Sequence, residues 1–311
     1  MAHEVESMMY VGDEPWHGLG NAIPSGKELS IEEAIVAAGL NWEVGLKHLY
    51  TEDRIGIHGH YATYRKSDNS ILGVVGADYT PLQNREAFNW FQPFLDVKAA
   101  TLETAGSLKG GKVVWILAKG KNKPEQVIKS DEVRNYILLS NSHDGSLAVR
   151  AGFTPIRVVC NNTLCRAHES EASRLLRVRH TARVVDNLES IREIMNLAQK
   201  EFIATIEQYR ALASKGINAS DLEKYVRVVF DLKEDSKSKK VVPAVVSLFE
   251  SGKGSNVAGK NYWGAYNAVT EYLNYFTGKS QDNRLNSLWF GSGSQLNKKA
   301  LNAALKMVKA A

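Results

Sequence analysis

The sequence predicts an α+β protein in which an antiparallel β-hairpin sheet packs on helices and a helical C-terminal region follows. Three observations lead there. Short β-rich runs separated by turn residues recur through about residue 183. From Asp186 the apolar spacing becomes helical and stays so toward the C-terminus. The chain has 311 residues, 44% of them hydrophobic, enough to bury a sizeable core in one large domain or two ordinary ones. The expected division is an α+β core over residues 1–183 and a helical region over 184–311, serving oligomerisation or completing the same domain.

The elements follow in order. Residues 1–30 show little periodicity and read as loop. SIEEAIVAA (30–38) reads as a short helix, with Ser30 as N-cap, Glu33 completing a capping box and Gly39 as the stop. Strands are expected in 42–51, 54–65 and 71–76, with the turn SDNS joining the last two. In the second of these, His58, His60 and Tyr64 share one alternation phase. REAFNWFQPFL (85–95) predicts an aromatic-rich helix interrupted or ended by Pro93. TLETAGSLKGGKVVWILAKG (101–120) reads as strand, glycine turn, strand, placing Lys109 and Lys112 at an exposed tip beside Trp115. Residues 133–160 repeat the pattern around NSHDGS. Then Leu188, Ile191, Met195, Ala198, Phe202, Ile206, Tyr209 and Leu212 follow one helical face, with Asp186 and Glu189 as a capping box. A second helix is expected from Ser220 with Glu223 as its capping-box partner, a short helix in VVPAVVSLFE, and two more over 263–276 and 295–308.

Composition narrows the function classes. Charged residues make up 23%, near the globular average, which argues against wholesale disorder. The N-terminus is acidic and lacks a signal-like apolar run, and no segment approaches the ~20 apolar residues that cross a bilayer. A cytoplasmic protein is the expectation. The two cysteines, Cys160 and Cys165, have neither zinc spacing nor an evident catalytic partner, and read as buried thiols.

Charge is more informative. Lys and Arg number 39 against 34 Asp and Glu. Between Arg150 and Arg183 stand seven arginines (150, 157, 166, 174, 177, 179 and 183), no lysine and only Glu169 and Glu171, a local excess equal to the +5 of the whole chain. Arginine's planar fork suits phosphate and stacks on bases, whereas lysine supplies mostly point charge. The run therefore points to a phosphate-bearing partner, against the plainer alternative of a solvated face or internal salt bridges.

Other motifs carry less. Gly254 to Lys260 fits GxxxxGK, but Asn261 replaces the Ser or Thr that would hold magnesium, so a linking loop is expected rather than a nucleotide site. His143 beside Asp144 in a glycine turn reads as loop chemistry rather than a dyad. Aromatics lie near basic residues at Tyr61/Tyr64/Arg65, Lys112/Trp115, Lys260/Tyr262/Trp263 and Arg284/Trp289/Phe290, as in single-strand binders, although Trp115 and Trp263 taken singly read as core.

GVVGADYTPLQNREAF, ETAGSLKGGKVVWILAK, SNSHDGS, FTPIRVVCNNTL and WGAYNAVTEYLNY together resemble the phage/plasmid-like protein family, over about residues 10 to 290. That family is a domain of unknown function of phages, prophages and conjugative plasmids, with no catalytic residues to carry over. The resemblance implies a bacterial host cell and a setting among replication and recombination genes, near single-strand-binding proteins. More distantly, the hairpin sheet and long helix resemble single-strand annealing proteins, which form rings or filaments with DNA in a basic groove.

The expectation is thus a homo-oligomeric protein that binds single-stranded DNA and anneals it through a duplex intermediate without ATP, cofactor or metal, with a single-strand-binding protein as a partner. Arg150, Arg157, Arg166, Arg174, Arg177, Arg179 and Arg183 would line the groove, joined by Lys109, Lys112, Asn161 and Asn162. Two alternatives stand beside it. One is a metal-dependent nuclease or nucleotide-processing enzyme using His58, His60 and His143; the other is a phage protein binding a host defence factor.

Overall fold

In a computed structural model, residues 5–12, 20–147, 149–157, 162–163, 188–233, 238–277, 287–288 and 291–310 are described. The architecture is α+β: an eight-stranded sheet, a three-stranded sheet and a helical C-terminal region. The large sheet contains β1 (Val5–Val11), β2 (Asn21–Ile23), β6 (Ala100–Leu108), β7 (Val113–Gly120), β8 (Glu125–Ile128), β9 (Asp131–Ser142), β10 (Arg150–Arg157) and β11 (Asn162–Thr163). Its order is β11-β10-β9-β7-β6-β1-β2, with β8 hairpinned onto β9, and every pairing except β1–β2 is antiparallel.

Alternate residues of these strands feed two cores. Met9, Ala105, Val114, Ile116, Ile137, Leu139, Ala151 and Phe153 face helices α1 (Ile31–Ala37), α2 (Asn84–Asn89) and α3 (Gln92–Asp96) and meet Ile35, Phe88, Phe91 and Phe94. Met8, Tyr10, Leu108, Val113, Trp115, Leu117 and Leu138 form the core of the opposite face. Each such side chain fully buried is worth about 1.5–3 kcal/mol. Trp115 is 1% exposed and lies across its cross-strand neighbour Gly106, where any Cβ would collide with the indole.

Coverage on both faces corrects the reading of residues 1–30 as loop. SMMYV shows no alternation because Met8, Met9 and Tyr10 are all buried, so β1 lacks the period-two signature of a half-exposed strand. The α1 expectation holds, with Ser30 and Glu33 exchanging both capping-box hydrogen bonds. Pro93 opens α3 rather than ending a helix, as suits a residue with no N–H to donate in a first turn.

The smaller sheet, order β3-β4-β5, is built from β3 (Val44–Tyr50), β4 (Gly56–Arg65) and β5 (Ile71–Gly76). Leu49 pairs with Ile57 and His48 with Tyr61, so residues 58–60 bulge out of β4 around Gly59 at φ +77°. The expected shared phase of His58, His60 and Tyr64 is broken there.

The helical region comprises α4 (Leu188–Ala213), α5 (Ala219–Phe230), α6 (Ser238–Ser251), α7 (Ser255–Ala258), α8 (Tyr262–Tyr275) and α9 (Ser292–Ala310). The α5 cap is Asn218, whose side chain accepts from the Asp221 backbone, not Ser220 with Glu223. The expected capping box of Asp186 and Glu189 lies outside the described residues. VVPAVVSLFE belongs to a 14-residue helix that contains Pro243, longer than expected. The face predicted for α4 is buried from Ala198 through Phe202, Ile206, Tyr209 and Leu212. Tyr209 stacks on Trp263 and Tyr266, with centroids at 4.8 and 5.9 Å. Val127 and Val133 of the β8–β9 hairpin join this helical core, and Trp263 Nε1 donates to Asp131 Oδ2 at 2.8 Å.

Candidate nucleic-acid interface

The KGGK turn between β6 and β7 is made by three successive left-handed residues, Lys109, Gly110 and Gly111, at φ +55°, +64° and +85°. The two glycines supply that conformation at no steric cost. Gly111 serves a second purpose: a Cβ there would collide with the Arg65 guanidinium and meet Trp42 at 3.2 Å. The turn is therefore docked rather than projecting as expected. Gly110 alone is exposed, while Lys109 and Lys112 are half-buried and Trp115 belongs to the core. Neither lysine has a carboxylate partner among the described residues.

What the turn docks onto is a buried polar joint between the two sheets. Arg65 Nη2 donates to Glu6 Oε2 at 2.7 Å and to the Gly110 carbonyl at 3.0 Å, and its guanidinium lies 4.6 Å from the Trp42 ring centroid. Glu6 also accepts from Ser107 Oγ at 3.1 Å. Trp42 meets the His143 ring edge-on at 5.4 Å. The His143 backbone N–H donates to the Lys112 carbonyl at 2.7 Å, tying the NSHDG turn to the KGGK turn.

His143 is fully buried, with Nε2 at 2.9 Å from Asn84 Oδ1. Asn84 Nδ2 donates to the Leu40 carbonyl at 3.0 Å, so its Oδ1 is the acceptor and His143 Nε2 must carry the proton. Nδ1 is then a bare acceptor without a partner among the described residues. Burial pushes the His143 pKa down to about 4, Arg65 adds to the depression and Asp144 partly offsets it. A neutral, enclosed imidazole bonded to an amide braces the backbone of its turn against α2. The aspartate beside it accepts from the Ser146 backbone in its own turn, as loop chemistry predicts.

The sheet register decides which predicted residues come together. Val113 pairs with Ser142 and Ser140 pairs with Arg150, so Lys109, Lys112 and the start of β10 share one end of the sheet. Arg157 pairs with Val133 at the other end of β10, alongside Asn162. Seven residue steps along the strand take β10 from Arg150 to Arg157, roughly 23 Å at the usual rise. The structure thus places Arg150 at the same end of the sheet as the two lysines, two strands away, and Arg157 with Asn162 at the other end. Asn161, Arg166, Arg174, Arg177, Arg179 and Arg183 lie outside the described residues, as do Cys160 and Cys165. The joint of Arg65, Trp42, Asn84 and His143 was missed in the sequence; the only trace was the histidine of NSHDG.

The remaining motifs resolve as follows. The GxxxxGK stretch joins α6 to α8 through the single turn of α7, with no strand before it, and Lys260 Nζ is held by the Glu250 carboxylate and the Phe249 carbonyl. A phosphate cradle needs a strand before its loop and a free lysine, so this is a linking loop. Trp263 is core, as read. His58 and His60 are exposed in the bulge, on different elements from the buried His143. Among the described residues no three His, Cys, Asp or Glu side chains are grouped to hold a metal ion, and no helix is long and apolar enough to cross a membrane.

Fold and site together define a mixed α+β protein with a cationic turn braced at one end of its large sheet. The chain belongs to the family described as a domain of unknown function (DUF932), which it matches over residues 71–289. No curated protein and no solved structure matches it.

Proposed function

We propose that this chain binds single-stranded DNA and promotes strand annealing without ATP, as a homo-oligomer acting inside a bacterial cell on behalf of a mobile element. The observation that carries the reading is the run of seven arginines without a lysine between Arg150 and Arg183. Guanidinium forks grip phosphates bidentately and leave the base edges free. Two coated strands can then test register and hybridise; no covalent bond is made or broken, so the step needs no nucleotide hydrolysis. Two features of the fold support the reading. Lys109 and Lys112, without carboxylate partners among the described residues, stand at the sheet end where the arginine run begins. An antiparallel sheet accompanied by a 26-residue helix, α4, is in keeping with the resemblance to single-strand annealing proteins on which the reading draws.

The test is fluorescence annealing of complementary oligonucleotides, with and without ATP, across a salt series. Annealing accelerated equally in both, with affinity falling steeply as salt rises, is expected. Substituting Arg174, Arg177 and Arg179 together by Ala should remove most of the acceleration. A flat salt response, or full activity in the triple variant, would overturn the proposal.

A further inference from the structure

The three strands β3, β4 and β5 contain no aspartate or glutamate. Their pairing register puts Lys47, Leu49, Ile57, Tyr64, Ile71 and Val74 on one face, since partners opposite each other in an antiparallel ladder share a side. The other face turns Val44, Thr63, Arg65 and Val75 inward, all buried. On the first face Ile71 and Val74 are each 55% exposed and Ile57 41%, around a buried Ala62 opposite Lys47. Of the nine large apolar side chains exposed among the described residues, Ile57, Ile71 and Val74 share this face, while Leu46 and Tyr50 lie on the other side of β3 and Ile55 in the β3–β4 loop. Isolated exposed apolar residues need no explanation, but a contiguous face does.

The centre of the face is a cation on an aromatic ring. Tyr64 spreads over Gly45, where an added Cβ would meet ring atoms at 2.6 and 2.9 Å. The Lys47 ammonium sits 4.0 Å from that ring's centroid and donates to Asn69 Oδ1 at 2.7 Å, with no carboxylate partner among the described residues. Glu43, at the end of the face, is already neutralised by Lys66 at 2.7 Å. Arg65 Nη2, bonded to the Gly110 carbonyl, ties the end of β4 to the KGGK turn, so the face borders the cationic sheet end.

We propose that this face is a platform for the bases of single-stranded nucleic acid, with bases laid on Ile71 and Val74 and, as Lys47 moves from the ring to a phosphate, on Tyr64. It rests on the single-strand reading above and assigns that reading a second surface, distinct from the arginine run. An aromatic ring stacks on any base, exposed aliphatic side chains beside it give a base apolar contact, and a lysine without an acidic partner among the described residues matches the backbone charge. A protein partner of mixed charge would find no carboxylate on these strands to pair with its own cations.

Fluorescein-labelled oligothymidylate of twenty residues provides the probe, read by anisotropy. Lys47→Glu and Val74→Glu alter exposed side chains and should each raise Kd about five-fold or more, with the thermal midpoint unchanged. The same oligonucleotide carrying 5-iodouracil, irradiated with the unsubstituted protein, should cross-link within the segment 61–74. If the unsubstituted protein does not bind the probe, the single-strand reading falls and the platform with it. If it binds, and the triple arginine variant weakens binding while both β-face variants bind normally and cross-links fall elsewhere, only the platform is overturned. Normal affinity together with an altered oligomer mass in the two variants would make the face a protein interface and overturn the platform as well. The cross-link map decides the matter should a variant fail to fold.

Discussion

Acidification should loosen the joint between the two sheets, through His143. The imidazole is neutral because it is buried, and its pKa lies at about 4 against an ordinary 6.5. Between those values the unfolded chain binds a proton that the folded chain refuses, so stability falls as pH drops through this window. The full gap is worth about 3 kcal/mol, and from pH 7 to pH 5 about 2 kcal/mol is lost. Burial sets the shift; the Asp144 charge favours the charged ring, and Arg65 opposes it. The assay is urea unfolding, followed by far-UV circular dichroism at pH 7, 6 and 5, of the unsubstituted protein and of His143→Gln. Glutamine can still donate to Asn84 but does not titrate. The variant should be the less stable protein at pH 7, and its stability should fall by about 2 kcal/mol less over the pH series. Parallel decline of the two proteins would refute the argument, since His143 would then be charged in the fold or accessible to water.

Two further substitutions probe the framework that carries the site. Gly106→Ala would press a methyl against the Trp115 ring and within 2.6 Å of Met8 Cβ and the Ser7 carbonyl, so a loss of about 1–3 kcal/mol in urea unfolding is expected; a neutral result would mean that β1 shifts freely against β6. Trp263→Phe keeps the stack on Tyr209 but removes one donor from the buried Asp131 carboxylate, and should cost about 1–3 kcal/mol, read from the same unfolding curves.

How far the sequence carried differs element by element, for physical reasons. The hairpin of β6 and β7 was legible because its turn chemistry is local: two glycines between two apolar runs. The Ser30–Glu33 box was legible for the same reason, its two hydrogen bonds spanning three residues. β1 was not, because burial on both faces erases the alternation that marks a strand. The length of α6 was concealed by Pro243, which usually ends a helix and here lies inside one. At the site, Lys109 and Lys112 were found from the turn, but their docking was not, since it depends on Arg65, Trp42 and Asn84 arriving from distant segments. Bonds such as Arg65 to Gly110, 45 residues apart, leave no local pattern to read. The arginine run was visible as composition alone, and composition carries no register: only the ladder puts Arg150 and Arg157 at opposite ends of one strand.

The β8–β9 hairpin, whose valines sit in the helical core, has a consequence for the order of synthesis. Asp131 and Trp263 are 132 residues apart. At the usual pace of translation, Val127 and Val133 leave the ribosome several seconds before α4, which packs against β8, and on the order of ten seconds before α8 completes their cover. During that interval the nascent chain displays a short apolar hairpin beside an otherwise formable sheet. Such a segment is a natural binding site for a chaperone, and a release point near residue 183 would leave it permanently uncovered. The helices therefore act late in the life of the chain as the cover for a strand pair made early.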